Sequence, residues 1–165
     1  MVEEARPHDH ERPQRSLEAE LLPSLAGGEA VNAIVYGRAI ENYLNDAPVD
    51  VGVKLNAGNT TTPIVGEALP VLSIVAYLDH NWTKVWSTSA GYSRVDISNS
   101  NGQAASAFKT GQYATVNLRY MPARSIMIGG EFQWAQRQNL SDGWTANDYR
   151  FEFSFKYSFS YKLGG

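Results

Sequence analysis

Asp79-His80 is the one place outside the first dozen residues where a carboxylate adjoins an imidazole, and such a pair can move a proton as general acid and base. Consecutive residues of an extended chain point to opposite faces, so these two cooperate only if a bulge intervenes. No nucleophile motif or third orienting group stands beside them. The pair reads as a polar rim, not as a catalytic site. His8, Asp9 and His10 carry metal-ligating atoms, but a structural site needs about four ligands and no second anchor can be placed for them. They read as part of a solvated tail.

Other chemistries are excluded more simply. The chain has no cysteine, so no disulfide, thiolate zinc site or cysteine nucleophile is available. Gly-rich phosphate loops, dinucleotide fingerprints and paired-histidine zinc motifs are absent from the sequence. A net charge of −3 supplies no basic field for nucleic acid. The expectation is a protein without cofactor or metal that is not an enzyme.

What remains is a set of polar side chains at alternate positions: Arg119; Glu131, Gln133 and Arg137; Arg150, Glu152 and Lys156. Charged groups on one wall of a water-filled channel select solutes. The same groups can also hydrate an inner wall or pair across strands, and that plainer role has the larger prior. Their mixed signs give no clear preference for anions.

The elements that must hold them are strands. Tyr149, Phe151, Phe153, Phe155, Tyr157, Phe159 and Tyr161 alternate with Arg150, Glu152, Ser154, Lys156, Ser158, Ser160 and Lys162. In a strand this sequence presents one aromatic wall and one polar wall, whereas a helix would scatter both classes. Residues 125–137, 112–120 and 85–93 repeat the alternation, and strands over Val31 to Tyr43 and Val71 to Trp82 alternate less cleanly. Residues 49–56 and 61–67 read as a hairpin inside a long loop, with Gly58-Asn59 at its turn.

The connections run long (44–69), short (Thr83-Lys84), long (98–110), short (121–124, with Pro122) and medium to long (139–147). Outer-membrane barrels have this asymmetry of long outer loops and tight periplasmic turns. Aromatic rings then fall at two heights, where amphipathic rings sit at headgroups. Trp82, Trp86, Tyr120 and Phe159 lie by the short turns or the chain end, and Tyr92, Trp134 and Tyr149 by the long loops. No apolar run reaches the roughly 20 residues of a spanning helix, since Ala68 to Leu78 is about half that and contains Pro70. A closed barrel is the other structure that satisfies every backbone group in lipid.

Residues 1–28 differ, with nine charged residues in the first twenty and no apolar stretch fit for a signal-peptide core. They read as a polar, disordered N-terminal tail in which Ser16 to Leu25 could form a short helix. Residues 29–165 read as the barrel segment.

The stretches ENYLNDAPVDVG (Glu41 to Gly52), LPVLSIVAYLDHNW (Leu69 to Trp82), GYSRVDISNSNGQAASAFKTGQYA (Gly91 to Ala114), GGEFQWAQRQNLSDGW (Gly129 to Trp144) and the closing FSFKYSFSYKLGG together resemble the C-terminal part of DcaP-like outer-membrane porins over about residues 29–165. The resemblance implies a bacterial outer-membrane location in a Gram-negative cell and a homotrimer for a full-length chain. It also implies passive diffusion of small polar or anionic organic solutes such as dicarboxylates. The last strand, with Tyr157 and Phe159, looks like the signal read by the barrel-assembly machinery. The expected fold is all-β: an antiparallel up-and-down transmembrane β-barrel segment of about six to eight strands within a larger porin barrel. A small eight-stranded, non-conducting anchor in outer-membrane lipid is the alternative, and it requires the first strand to pair with the last.

Overall fold

The computed structural model describes residues 28–40 and 48–160, and they form strands without helix. In chain order these are β1 (Gly28–Arg38), β2 (Val51–Leu55), β3 (Ile64–Ala68), β4 (Pro70–Asn81), β5 (Trp86–Ile97), β6 (Phe108–Ala123), β7 (Ile126–Asn139) and β8 (Thr145–Tyr157). Six make one antiparallel sheet in the order β1-β4-β5-β6-β7-β8, and β2 and β3 form a separate hairpin. Strand neighbours in this sheet are neighbours in sequence once the hairpin is set aside. Among the described residues the sheet is open, with β1 and β8 as its two edges. No helix there is long and apolar enough to cross a membrane.

Alternation explains why these segments are strands: β-branched and aromatic residues recur at every second position and suit a pleated surface with one apolar side. The 49–56 and 61–67 hairpin forms as expected, somewhat shorter, with Leu55 opposite Ile64. Gly58 adopts φ +85° in its turn, where a side chain would be strained. Asn59 Oδ1 accepts from the backbone N–H of Thr61 and Thr62 at 3.0 Å.

Three expected boundaries move. β1 begins at Gly28 and ends at Arg38, not Tyr43, because Ala39 turns to φ 51°. The second short turn lies at Arg124-Ser125, not 121–124: β6 continues through Pro122 to Ala123. The register slips between Tyr120 and Ala123, and such an irregularity tolerates a residue without an N–H. The first short turn is closed by Thr83, whose Oγ1 accepts from the N–H groups of Val85 and Trp86 at 3.2 and 3.0 Å. The proposed Ser16 to Leu25 helix, the His8-Asp9-His10 cluster, the rest of residues 1–27 and Tyr161 lie outside the described residues.

The small buried core sits at the long-loop end. Ile40, Leu69, Val71 and Ile97 cluster there, with Val35, Val49, Val95 and Phe108 packed against them. This core ties the loops together. Gly102 N–H donates to Val53 O at 3.0 Å and Asn101 Oδ1 accepts from Leu55 N–H at 3.0 Å, so the hairpin rests on the β5–β6 loop. The β7–β8 loop joins through Leu140 N–H to Ala107 O at 2.8 Å.

Candidate functional site

Register decides which side chains share a face. Direct antiparallel partners lie on one side of a sheet, so the pairs can be followed from β8 to β1. One row runs Tyr149, Trp134, Ala114, Tyr92, Ala76, Asn32, and the next toward the short turns runs Phe151, Phe132, Val116, Ala90, Leu78, Ala30. Trp86, Tyr120, Ile128 and Phe155 share another. By this parity Trp82 and Phe159 continue the same face, so all seven expected girdle aromatics fall on one side.

That face is uncovered. Phe151 is 83% exposed, and away from the edge Leu118 is 49% and Val116 44% exposed. Among the described residues no second layer packs on Phe151, Phe153 or Phe155, and the sheet they form is one layer thick with an apolar surface.

Its aromatic rings have polar ends with specific partners. Tyr92 donates to Gln112 Oε1 (2.7 Å), Gln112 Nε2 to Gln136 Oε1 (3.0 Å), and Gln136 Nε2 to Asn147 Oδ1 (3.0 Å). Trp134 Nε1 donates to that same Asn147 oxygen at 3.2 Å. A row of amides therefore borders the apolar surface on the long-loop side, continued by the Arg94–Asp96 ion pair at 3.1 Å. Sequence reading missed this row, although Gln112, Gln136 and Asn147 each stand two residues beyond the last apolar residue of a strand. On the short-turn side Trp86 stacks on Tyr120 at 4.5 Å, and Trp82 Nε1 donates to Thr88 Oγ1 at 2.8 Å.

The borders of the apolar band follow the register over four strands and shift at β4. Its upper limit passes through the direct partners Tyr149, Trp134, Ala114 and Tyr92, but on β4 it reaches Leu72, whose partner Asp96 lies four residues past Tyr92. Its lower limit shifts by two residues from Ile126 to the Ile128–Tyr120 pair and is then level to Trp86, with Trp82 beside it across the turn. The offset comes in steps and not as a uniform slope: the upper limit is level from β8 to β5, shifts by four residues at β4 and is level again to Tyr36 on β1.

The opposite face carries Arg119, Glu131, Gln133, Arg137, Arg150, Glu152 and Lys156, all seven expected polar candidates. They do not converge on one point. Arg119 Nη2 donates to Ser89 Oγ at 3.1 Å and lies 4.0 Å from Asp79, to which Ser89 Oγ also donates. Glu131 accepts from Thr115 Oγ1 at 2.8 Å and Gln133 Nε2 at 2.7 Å. Arg150 pairs with Glu152 along β8 at 3.4 Å. The two ion pairs, Arg119–Asp79 and Arg150–Glu152, are solvent-exposed and worth about 0–1 kcal/mol each, so they shape the charge of the wall more than they hold it together.

Arg137 differs from the others. Its guanidinium lies 5.7 Å from the ring centroids of both Phe108 and Trp144, and its Nε donates to Asn139 Oδ1 at 3.3 Å. It braces the loop rim. Asp79 and His80 separate as their parity requires: Asp79 joins Arg119 on the polar face, and His80 meets the Trp82 ring edge-on at 4.4 Å on the other. Tyr113, Gln133, Ala135, Asp148 and Arg150 line an open recess of about 160 Å³ on the polar face. It offers donors and both signs of charge. Among the described residues no cluster of His, Asp and Glu suits a metal ion.

Comparison with protein-family models, with curated proteins and with solved structures yields no match for this chain.

Proposed function

We propose that the sheet is part of the wall of a bacterial outer-membrane β-barrel of the porin kind. Its apolar face meets lipid, and its polar face lines a water-filled path for passive diffusion of small polar or anionic organic solutes. One observation carries the reading: among the described residues a single-layer sheet leaves an apolar band uncovered and bounded by aromatics, while the reverse face of β5 to β8 is polar. A soluble sandwich would cover the band with a second sheet.

The resemblance to DcaP-like porins supports the same reading, with a homotrimer for the full-length protein and delivery by the barrel-assembly machinery through the last strand. The mixed charges of Arg119, Glu131, Arg150, Glu152 and Lys156 favour modest selectivity. The non-conducting eight-stranded anchor draws no support from the open sheet, since β1 and β8 are not paired and β2 and β3 stand apart.

The test is electrical. Refolded protein added to planar bilayers is expected to give discrete steps of ionic current, and vesicles containing it to swell in small polar solutes. Folded protein that binds lipid but gives neither current nor swelling would overturn the pore reading.

A further inference from the structure

Ala135 is a small residue on the polar face of β7, and its direct partners there are Tyr113 on β6 and Asp148 on β8. Next along the strand on the same face, Gln133 stands opposite Arg150. Longer side chains thus rise on both sides of a methyl group, and the open recess they line holds about 160 Å³. At ~30 Å³ per water that is room for about five waters. A further strand paired to the edge of β8 would lie beyond Asp148 and Arg150, so completing a larger barrel leaves the recess open.

The polar atoms around this space have bonding capacity to spare. Among the described residues the Asp148 carboxylate and the Tyr113 hydroxyl have no hydrogen bond or ion pair. Gln133 donates through Nε2 to Glu131 at 2.7 Å and keeps its Oε1 free. Arg150 turns one Nη1 bond toward Glu152 at 3.4 Å, which leaves the other N–H groups of its guanidinium available. Acceptors on Asp148 and Gln133 therefore stand beside donors on Arg150 and Tyr113, with the two charges ~6.6 Å apart along one strand.

We infer that the recess is a binding subsite for the zwitterionic head of a free α-amino acid, with its carboxylate on Arg150 and Tyr113 and its ammonium on Asp148 and Gln133. The inference rests on the pore reading above and names the class of small polar solute that the path favours. A monocarboxylate would engage Arg150 and leave Asp148 unanswered. A dicarboxylate would bring its second charge against that same aspartate. Only a solute carrying both signs on neighbouring atoms satisfies both groups, and its side chain then points into the lumen, so the subsite reads the head of the molecule and tolerates any small side chain.

Full-length protein in planar bilayers is titrated with L-alanine at neutral pH, and with propionate and ethylamine, each of which has one of the two charges. The expected result is that alanine halves the single-channel current at a concentration about tenfold below that of either analogue, the margin that one hydrogen bond to a charged group supplies. Asp148→Asn should raise the value for alanine by about tenfold and leave that for propionate unchanged, and Arg150→Gln should raise both. Ala135→Leu fills the floor of the recess without altering its charge, and should weaken the block by alanine while the channel still conducts.

A channel that conducts but responds to alanine no more than to propionate and ethylamine overturns the inference and leaves the pore reading standing. So does a response to alanine that survives all three substitutions. Folded protein that gives no current removes the pore reading and the inference together.

Discussion

Tyr77 lies across Gly91 on the polar face, where the two are direct partners on β4 and β5 and a Cβ at position 91 would fall inside the tyrosine ring. Glycine is otherwise a weak strand residue, so the ring supplies the packing that Gly91 lacks. Gly91→Ala is expected to lower stability by about 1 kcal/mol through overpacking. In a Tyr77→Ala background the same change should be neutral or stabilising, a reversal that a double-mutant cycle of urea midpoints in detergent would read.

Phe153 and Ser154 are adjacent in β8 but belong to opposite faces. If the odd face meets lipid, Phe153→Arg should cost about 2–4 kcal/mol in bilayers, and Ser154→Arg much less. Equilibrium unfolding from vesicles gives both values. Equal costs would show that the two sides meet the same solvent.

The β7–β8 loop should loosen in acid. The side chain of Asn139 and the backbone N–H of Trp144 donate to the Asp142 carboxylate at 2.9 and 2.8 Å, and hold its pKa below the usual carboxylate value. A depressed folded-state pKa contributes stability above the unfolded value and loses it as pH falls through the folded one. Trp144 fluorescence, read with the other tryptophans changed to Phe, should therefore report a transition below about pH 4. Asp142→Asn should abolish it.

Leu69 is fully buried where the β2–β3 hairpin meets the sheet. Leu69→Ala should destabilise by about 2–5 kcal/mol and release the hairpin from its seat on residues 100–103. Protease cleavage within residues 56–63 should accelerate at least tenfold, while the six-stranded sheet keeps its circular dichroism.

Strand identity and facing were legible because a period of two is a local property. Tyr149 to Phe159 announces two walls from any short window, and the register places the seven expected polar residues on one wall and Trp86, Tyr92, Tyr120, Trp134 and Tyr149 on the other. The separation of Asp79 from His80 follows from the same period. What stayed hidden was set by contacts distant in sequence. Pro122 signals a turn to a local reading, yet the irregularity in β6 lets the strand absorb it and moves the turn to Arg124-Ser125. The docking of the hairpin on Asn101 and Gly102 depends on bonds between loops about fifty residues apart in the chain. Arg137 looked like its charged neighbours because nothing in its own strand shows that Phe108 and Trp144 will flank it.

Gln112, Gln136 and Asn147 mark the upper border of the greasy surface with groups that never ionise in water. A border of carboxylates would turn neutral in acid, and a border of lysines would carry a fixed charge. Primary amides do neither. Their mutual bonds hold the polar ends of Tyr92 and Trp134 with uncharged groups, and salt acts on this border where the Arg94–Asp96 ion pair continues the row.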